Sequence, residues 1–545
     1  MRGSAQGVGA PGEPPRPALQ LRAMSSSQTP RMPRQIPYII ANEGCERFSF
    51  YGMRNILTIF LASTFFATLP AAEAQSEAKE IFHVFVAGVY FFPLLGGWIS
   101  DRFFGKYLTI LWVSVVYCIG HALLAIYEHE PTGFYTGLFL IALGSGGIKP
   151  LVSTFMGDQF DQSNKQLAKV AFDAFYWIIN FGSFFASLFM PKLLQGAGPA
   201  EWWGWPAASV AFGIPGVLML IATVFFWAGR KRYVKVPPAP PDPHSFSNVI
   251  RTALLARGGV TPGLALAITG CVLALASIAM IWVLGWKIVI ALCLALVLVL
   301  FGVGLGAWME LDNARGKHPD EAVDGVRSVL RVLVIFALVT PFWSLFDQKA
   351  STWVFQADAM TKPSWFSPAQ MQALNPALVM LIIPFNNFIV YPWLRKRGKE
   401  PSQLGRMALG MALAGLSWIV VGAMQLVIDG GEAISIAWQV LPYILLTAGE
   451  VLLSATGLEF AYSQAPASMK GVIMSFWSLA VTVGNLWVLI VNVSVKNDTV
   501  LGAITQSGMS SIAFQMFFFA AFALVAALAF HLVAKRYRVV DNYRV

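Results

Sequence analysis

Between residues 36 and 534 the chain alternates long apolar runs with short polar connectors. The runs are too long for buried strands and too uniformly apolar for surface helices. A bilayer hydrocarbon core about 30 Å thick is crossed by roughly 20 apolar residues in helix. Fourteen runs meet that length, near 36–65, 80–100, 107–127, 133–157, 170–193, 206–228, 262–284, 286–308, 327–349, 370–394, 403–428, 436–461, 470–494 and 510–534. They fall into groups of six, two and six. The Pro-rich "YVKVPPAPPDPHSF" closes the first group, and "ELDNARGKHPDEAVDG" opens the last. The middle pair carries almost no polar side chain except Lys287 and reads as lipid-facing packing helices. The pattern predicts an all-α polytopic membrane protein with two six-helix bundles, two inserted helices and 14 transmembrane helices. Its units are a disordered cytoplasmic tail (1–35), an N-terminal bundle (36–228), linkers flanking the extra pair (229–326), a C-terminal bundle (327–534) and a second tail (535–545).

Composition agrees: of 545 residues 57% are hydrophobic and 12% charged, where a soluble domain carries roughly 25% charge. The net charge of +10 is no signal for nucleic acid here, because the basic clusters at 101–106, 229–235, 395–399 and 534–538 fall on one side of a fourteen-span count. By the positive-inside bias both termini are expected in the cytoplasm. The first 35 residues lack the apolar core of a secretory signal. Cys45, Cys118, Cys271 and Cys293 lie in apolar runs without ligand-like spacing, so neither a disulfide framework nor a metal site is expected. Two six-helix halves suggest a central site served by rocking of one half against the other. No filter loop or arginine ladder points to a channel.

The exception to apolarity carries the chemistry. "ANEGCERFSFYG" puts Glu43, Glu46 and Arg47 inside a span, where each charge costs several kcal/mol unless it pairs or meets water. At 100° per residue Glu43, Arg47, Phe50 and Arg54 share one helix face, flanked by Glu46 and Tyr51. One arginine shared by two carboxylates leaves one of them under-compensated, and such an acid can take up a proton near neutral pH. Lys149, ahead of Pro150, and Glu450, one turn before Ser454, are further ionisable groups deep in spans. Gly144, Gly146 and Gly147 lack the pattern of a phosphate loop and read as close helix packing.

"EGCERFSFYGMR" resembles the ExxERFxYYG motif of the proton-dependent oligopeptide transporters of the major facilitator superfamily. "GGWISDRFFGK", "GSGGIKP", "FYWIINFGS", "FWSLFDQ" and "GEVLLSATGLEFAYSQAP" are similar to further motifs of that family and occur in its order. The resemblance implies the major facilitator fold and proton-coupled symport of di- and tripeptides, with the proton as coupling ion and no cofactor. Glu43, Glu46, Arg47, Lys149 and His83 are then the proton-coupling residues. Arg54, Tyr51, Tyr90, Lys149, Tyr176, Asn180, Trp343, Asn375, Glu450, Ser454 and Trp477 are the peptide-binding ones, and Arg54 with Asp347 forms a gate salt bridge. It also implies a monomer in a cell membrane, and the inserted helix pair implies a bacterial inner membrane.

The residue types suit such a cargo: a zwitterion of variable side chain is gripped at its charged ends and accommodated by aromatic walls. Phe50 departs from the family motif by one lost hydroxyl. His83 is open between proton handling and packing. Specialisation for nitrate or a peptide-like drug is an alternative, although nitrate has no amine for Glu450. A polytopic membrane enzyme is a third reading, without a convergent set of catalytic groups to carry it.

Overall fold

The computed structural model describes residues 31–161, 164, 167–238, 242–286, 288–399, 401–464 and 469–537. Most of the two expected tails, and Lys287, lie outside the described residues, as does the side chain of Cys293. The described chain is helical: α1 Ile36–Phe60, α2 Ala71–Phe91, α3 Pro93–Ile99, α4 Gly105–Ile126, α5 Pro131–Gly157, α6 Ala168–Leu194, α7 Pro199–Trp203 and α8 Ala207–Ala228 come first. The linker holds α9 Phe246–Leu255 and the pair α10 Pro262–Val283 and α11 Ile288–Glu310. Then follow α12 Asp320–Asp347, α13 Thr352–Ala359, α14 Leu374–Phe385, α15 Tyr391–Lys396, α16 Gln403–Asp429, α17 Val440–Glu450, α18 Thr456–Gln464, α19 Lys470–Ser494, α20 Asp498–Gln506 and α21 Ser511–Arg536.

Local chemistry sets many of the helix starts. Glu130 accepts from the Thr132 and Gly133 amides ahead of Pro131, Thr261 from Leu264, Ser402 from Gly405 and Ser510 from Ala513. Each satisfies donors that a first turn leaves without a partner. Gly105, at a φ of 73°, breaks the chain between α2–α3 and α4, a conformation glycine reaches without Cβ strain.

Among the described residues twelve segments are long and apolar enough to cross a membrane, one of them Ala71–Ile126, whose 56 residues exceed one crossing length. The protein is a multi-pass membrane protein. Its first helix is not among those segments because it carries Glu43, Glu46, Arg47 and Arg54. Two large apolar cores form. One joins Ile36, Phe60, Phe134, Phe155 and Phe226 of the first half, and the other joins Val332, Trp353, Trp418, Met516 and Phe530 of the second.

The structure departs from the sequence reading in its connectors and breaks. The second span starts at Ala71 rather than near 80, because "AAEAQSEAKE" is polar yet helical and carries the bundle beyond the apolar run. Helices α9, α13 and α20 fill stretches expected to be loops; each is 8 to 10 residues long, too short for the criterion that found the spans. The spans near 370–394 and 436–461 are interrupted by π-turns at Asn386–Val390 and Val451–Ala455.

Glycine governs the closest helix contacts, as the sequence suggested for 144–147. A Cβ on Gly144 would lie 2.5 Å from Tyr117 Cβ, and one on Gly146 2.5 Å from the Val89 carbonyl oxygen. A Cβ on Gly182 would lie 3.0 Å from the Gly44 carbonyl oxygen, so α6 meets α1 backbone to backbone at the charged turn. The inserted pair is built likewise, with Gly270 against Gly302, and Ser277 Oγ donating across it to the Ala291 carbonyl at 3.0 Å.

Candidate functional site

The charged turn of α1 is buried: Glu46 is 1% exposed, and Glu43 and Arg47 are 3% exposed. Arg47 Nε stands 2.8 Å from Glu43 Oε1 and 2.6 Å from Glu46 Oε2. Neither approach aligns the N–H with the oxygen, and both oxygens of Glu46 are without a hydrogen-bond partner among the described residues. One guanidinium is thus shared by two buried carboxylates, and Glu46 is the less satisfied acid. Tyr117 of α4 stands beside Glu46 with Ser145 of α5 nearby, so two buried hydroxyls face this acid from the neighbouring helices. Neither residue stood out in the sequence, since a hydroxyl in an apolar run usually bonds back to its own helix.

Lys149 extends from α5 towards the same helix, its Nζ 4.0 Å from the centroid of the Tyr90 ring and 5.6 Å from that of Phe50. The position where the motif has lost a hydroxyl thus offers this lysine an aromatic face. Phe50 also packs edge-on against Tyr51, centroids 5.3 Å apart.

At the far end of α1 a polar lattice joins the two halves. Arg54 Nη2 donates to Asp347 Oδ1 at 2.6 Å, both residues being buried. Asn485 Nδ2 donates to Asp347 Oδ2 at 2.8 Å, and its Oδ1 lies 2.7 Å from His83 Nδ1. His83 Nε2 reaches Ser351 Oγ at 3.0 Å. Thr58 donates to the Ala350 carbonyl, Gln372 to the Asn55 carbonyl, and Asn492 to the Ser76 carbonyl. Lys496 pairs with Glu77 at 2.5 Å and Glu80 at 3.5 Å. Among the described residues, the side-chain bonds between residues 36–228 and 327–534 lie at this end or, for Thr482 to the Ala87 carbonyl, near mid-helix. The molecule is closed at the Arg54 end.

In the second half Glu450, last residue of α17, accepts from Asn375 Nδ2 at 2.6 Å, and the same amide donates to Thr447 Oγ1 at 3.1 Å. The π-turn that follows carries Ser454, whose buried Oγ lacks a partner among the described residues. Such an extra residue in a helix frequently marks a functional turn. Lys349 was missed in the sequence because it sits at the end of a span. Its Nζ lies 3.0 Å from the Phe346 ring centroid, within electrostatic reach of Glu450, Asp347 and Arg54. The nearby Asp347 was the available signal.

The aromatic residues divide. Trp343 and Trp477 pack edge-to-face, centroids 6.0 Å apart, with only narrow edges free. Tyr176 is 47% exposed. Asn180 donates to the Tyr176 carbonyl of its own helix at 3.0 Å, so its amide N–H is engaged within α6. The structure thus assembles Glu43, Glu46 and Arg47, places Lys149 with Tyr90, joins Arg54, Asp347 and His83 through Asn485, and joins Asn375 to Glu450.

The family model described as POT family matches residues 107–507. Peptide transporter 3 of Caenorhabditis elegans is 34% identical over 414 residues, covering 73% of this chain and 51% of that protein. Human solute carrier family 15 member 2 is 33% identical over 435 residues, covering 76% and 52%. The chain spans about half the length of the curated relatives it matches. Among solved structures, an auto-inhibited POT family peptide transporter superposes with a TM-score of 0.89 at 63% identity, covering 94% of this chain and 99% of that one. The POT family transporter PepTSo gives 0.89 at 65% identity, covering 94% and 100%.

Proposed function

Because this chain belongs to the POT family, we propose that it is a proton-coupled symporter that imports di- and tripeptides by alternating access. The observation that carries this reading is Glu46, a buried acid that shares the single Arg47 with Glu43, in a protein sealed at one end by the Arg54–Asp347 pair. In this reading fourteen helices cross a cell membrane, the Ala71–Ile126 segment counting twice and α1 once. Both termini are cytoplasmic and the sealed end faces outward. The inserted pair favours a bacterial inner membrane, and a monomer suffices because both halves belong to one chain. The coupling ion is a proton, and no cofactor takes part.

Coupling follows from charge economy. Protonating Glu46 releases Arg47 from one of its two carboxylates and changes the field at Lys149. A peptide entering between the halves presents its carboxylate to the basic side, Arg54 or Lys149, and its amine to Glu450. Carboxylate and Asp347 compete for Arg54, so cargo weakens the seal that must open. Tyr51, Tyr90, Tyr176, Trp343 and Trp477 give adaptable walls, with Asn180, Asn375 and Ser454 as hydrogen-bonding groups. Nitrate suits this arrangement less, since Glu450 and Asn375 would be left facing an anion.

The test is uptake of labelled dialanine into proteoliposomes under an imposed pH gradient and membrane potential, with Glu46→Gln beside the parent. The variant is expected to exchange peptide across the membrane yet lose accumulation. Undiminished accumulation by Glu46→Gln removes Glu46 from the coupling step.

A further inference from the structure

One turn beyond His83 on the same face of α2 lies Lys79, which the proposed symport does not use. It is 8% exposed, although it sits where the two halves meet at the sealed end. No hydrogen bond or ion pair engages its ammonium among the described residues. The charge it feels is that of Lys496, which repels it, and Lys496 is itself paired with Glu77 and Glu80. The side chain lines a cavity of about 100 Å³, room for an ion and a few waters. Gln75, one turn earlier, lines it from the same helix, with an amide that makes no hydrogen bond among the described residues. Thr352, Gln356 and Gln425 line it from the other half. Their donors are already engaged: Thr352 with Gln348, Gln356 with the Val421 carbonyl and Gln425, and Gln425 with Asp429. Among the described residues no carboxylate lines the cavity.

We propose that Lys79 and Gln75 hold a small monovalent anion of the chloride class in this cavity, bridging the two halves while the Arg54 end is sealed. An ammonium withdrawn from water without a counter-charge is strongly destabilising, and a bound anion removes that penalty. The lining selects the ligand. A zwitterion would leave its amine without an acid, whereas a monoanion is matched by one ammonium and one amide. Because α2 supplies the cation and α13 and α16 the opposite wall, separating the halves dismantles the site. Anion release then accompanies opening, and the anion favours the sealed state. The proposal is independent of what the protein carries.

Crystals of the full-length protein grown in sodium bromide should show an anomalous peak within hydrogen-bonding distance of Lys79 Nζ, absent in Lys79→Gln. In detergent, replacing gluconate by chloride at constant ionic strength should raise the melting midpoint by about 1–2 °C per decade of chloride near saturation. Lys79→Arg should keep that response and Lys79→Met should lose it, which separates anion binding from a general loss of fold. No bromide peak, with equal melting in chloride and gluconate, overturns the proposal and leaves a neutral, hydrated amine. Displacement of the bromide by dialanine would also overturn it, assigning the cavity to a peptide carboxylate.

Discussion

Asp347 is 2% exposed and both its oxygens are engaged, one by Arg54 at 2.6 Å and one by Asn485 at 2.8 Å. Asp347→Asn keeps shape and one polar acceptor but removes the charge facing a guanidinium that is only 6% exposed. Stranding one partner of a buried pair costs about 3–5 kcal/mol when nothing moves. Here the halves can part and let water reach Arg54, so roughly 2–3 kcal/mol should pass into the opening equilibrium. At 1.36 kcal/mol per decade that is roughly a 30- to 150-fold rise in the open-to-closed ratio. Spin labels at Glu73 and Thr499, both exposed near the sealed end, would report it as a longer interlabel distance in double electron–electron resonance. Native cysteines would be replaced first. Arg54→Ala added to Asp347→Asn removes the stranded charge and should recover much of the short distance. If Asp347→Asn gives the parent's distance distribution, the ion pair does not hold this end shut.

Other outcomes follow from single contacts. Gly144→Val should cost about 1–3 kcal/mol, because its Cβ falls 2.8 Å from Tyr117 Cα and two helix backbones must separate. Gly97→Ala, where no atom of the described residues lies within 4 Å of the added Cβ, is the control, and equal thermal melts for both would refute the packing argument. Lys149→Ala should lose gradient-driven dialanine accumulation, and uptake equal to the parent's would remove that lysine from coupling. In the linker, partial burial and the neighbouring His244, whose Nδ1 lies 2.9 Å from His318 Nδ1, lower the His318 pKa, with Asp242 opposing. A histidine depressed in the folded state contributes stability above its ordinary value, lost as pH falls from about 6.5. Since His318 Nε2 also reaches Thr252 of α9, hydrogen exchange in Phe246–Leu255 should quicken between pH 7 and pH 5 beyond the intrinsic change. His318→Gln should abolish that excess, and its persistence would place the pH response elsewhere.

The sequence by itself determined what depends on near neighbours along the chain. Helices in a membrane satisfy their own backbone, so the apolar runs announce the spans and their grouping. Glu43, Glu46 and Arg47 meet on one turn because 3.6 residues per turn leaves them little choice. The glycines at 144–147 were legible as packing sites, since a residue without a Cβ in an apolar helix has few other uses. Polar helices such as the start of α2, and short ones such as α13, were illegible because hydropathy measures fitness for lipid rather than helicity.

Only the tertiary structure decided which distant groups share a charge or a hydrogen bond. Asn485 is an ordinary amide in its own helix and becomes the link between Asp347 and His83 only when α19 lies against α2 and α12. Lys349 stood outside the expected site although it lies within the field of Glu450, and Lys79 was indistinguishable from a solvated lysine until two halves closed over it. The reason is physical. Helix periodicity is written in local spacing, whereas desolvation and charge pairing depend on what a second helix, hundreds of residues away, brings to within a few ångströms.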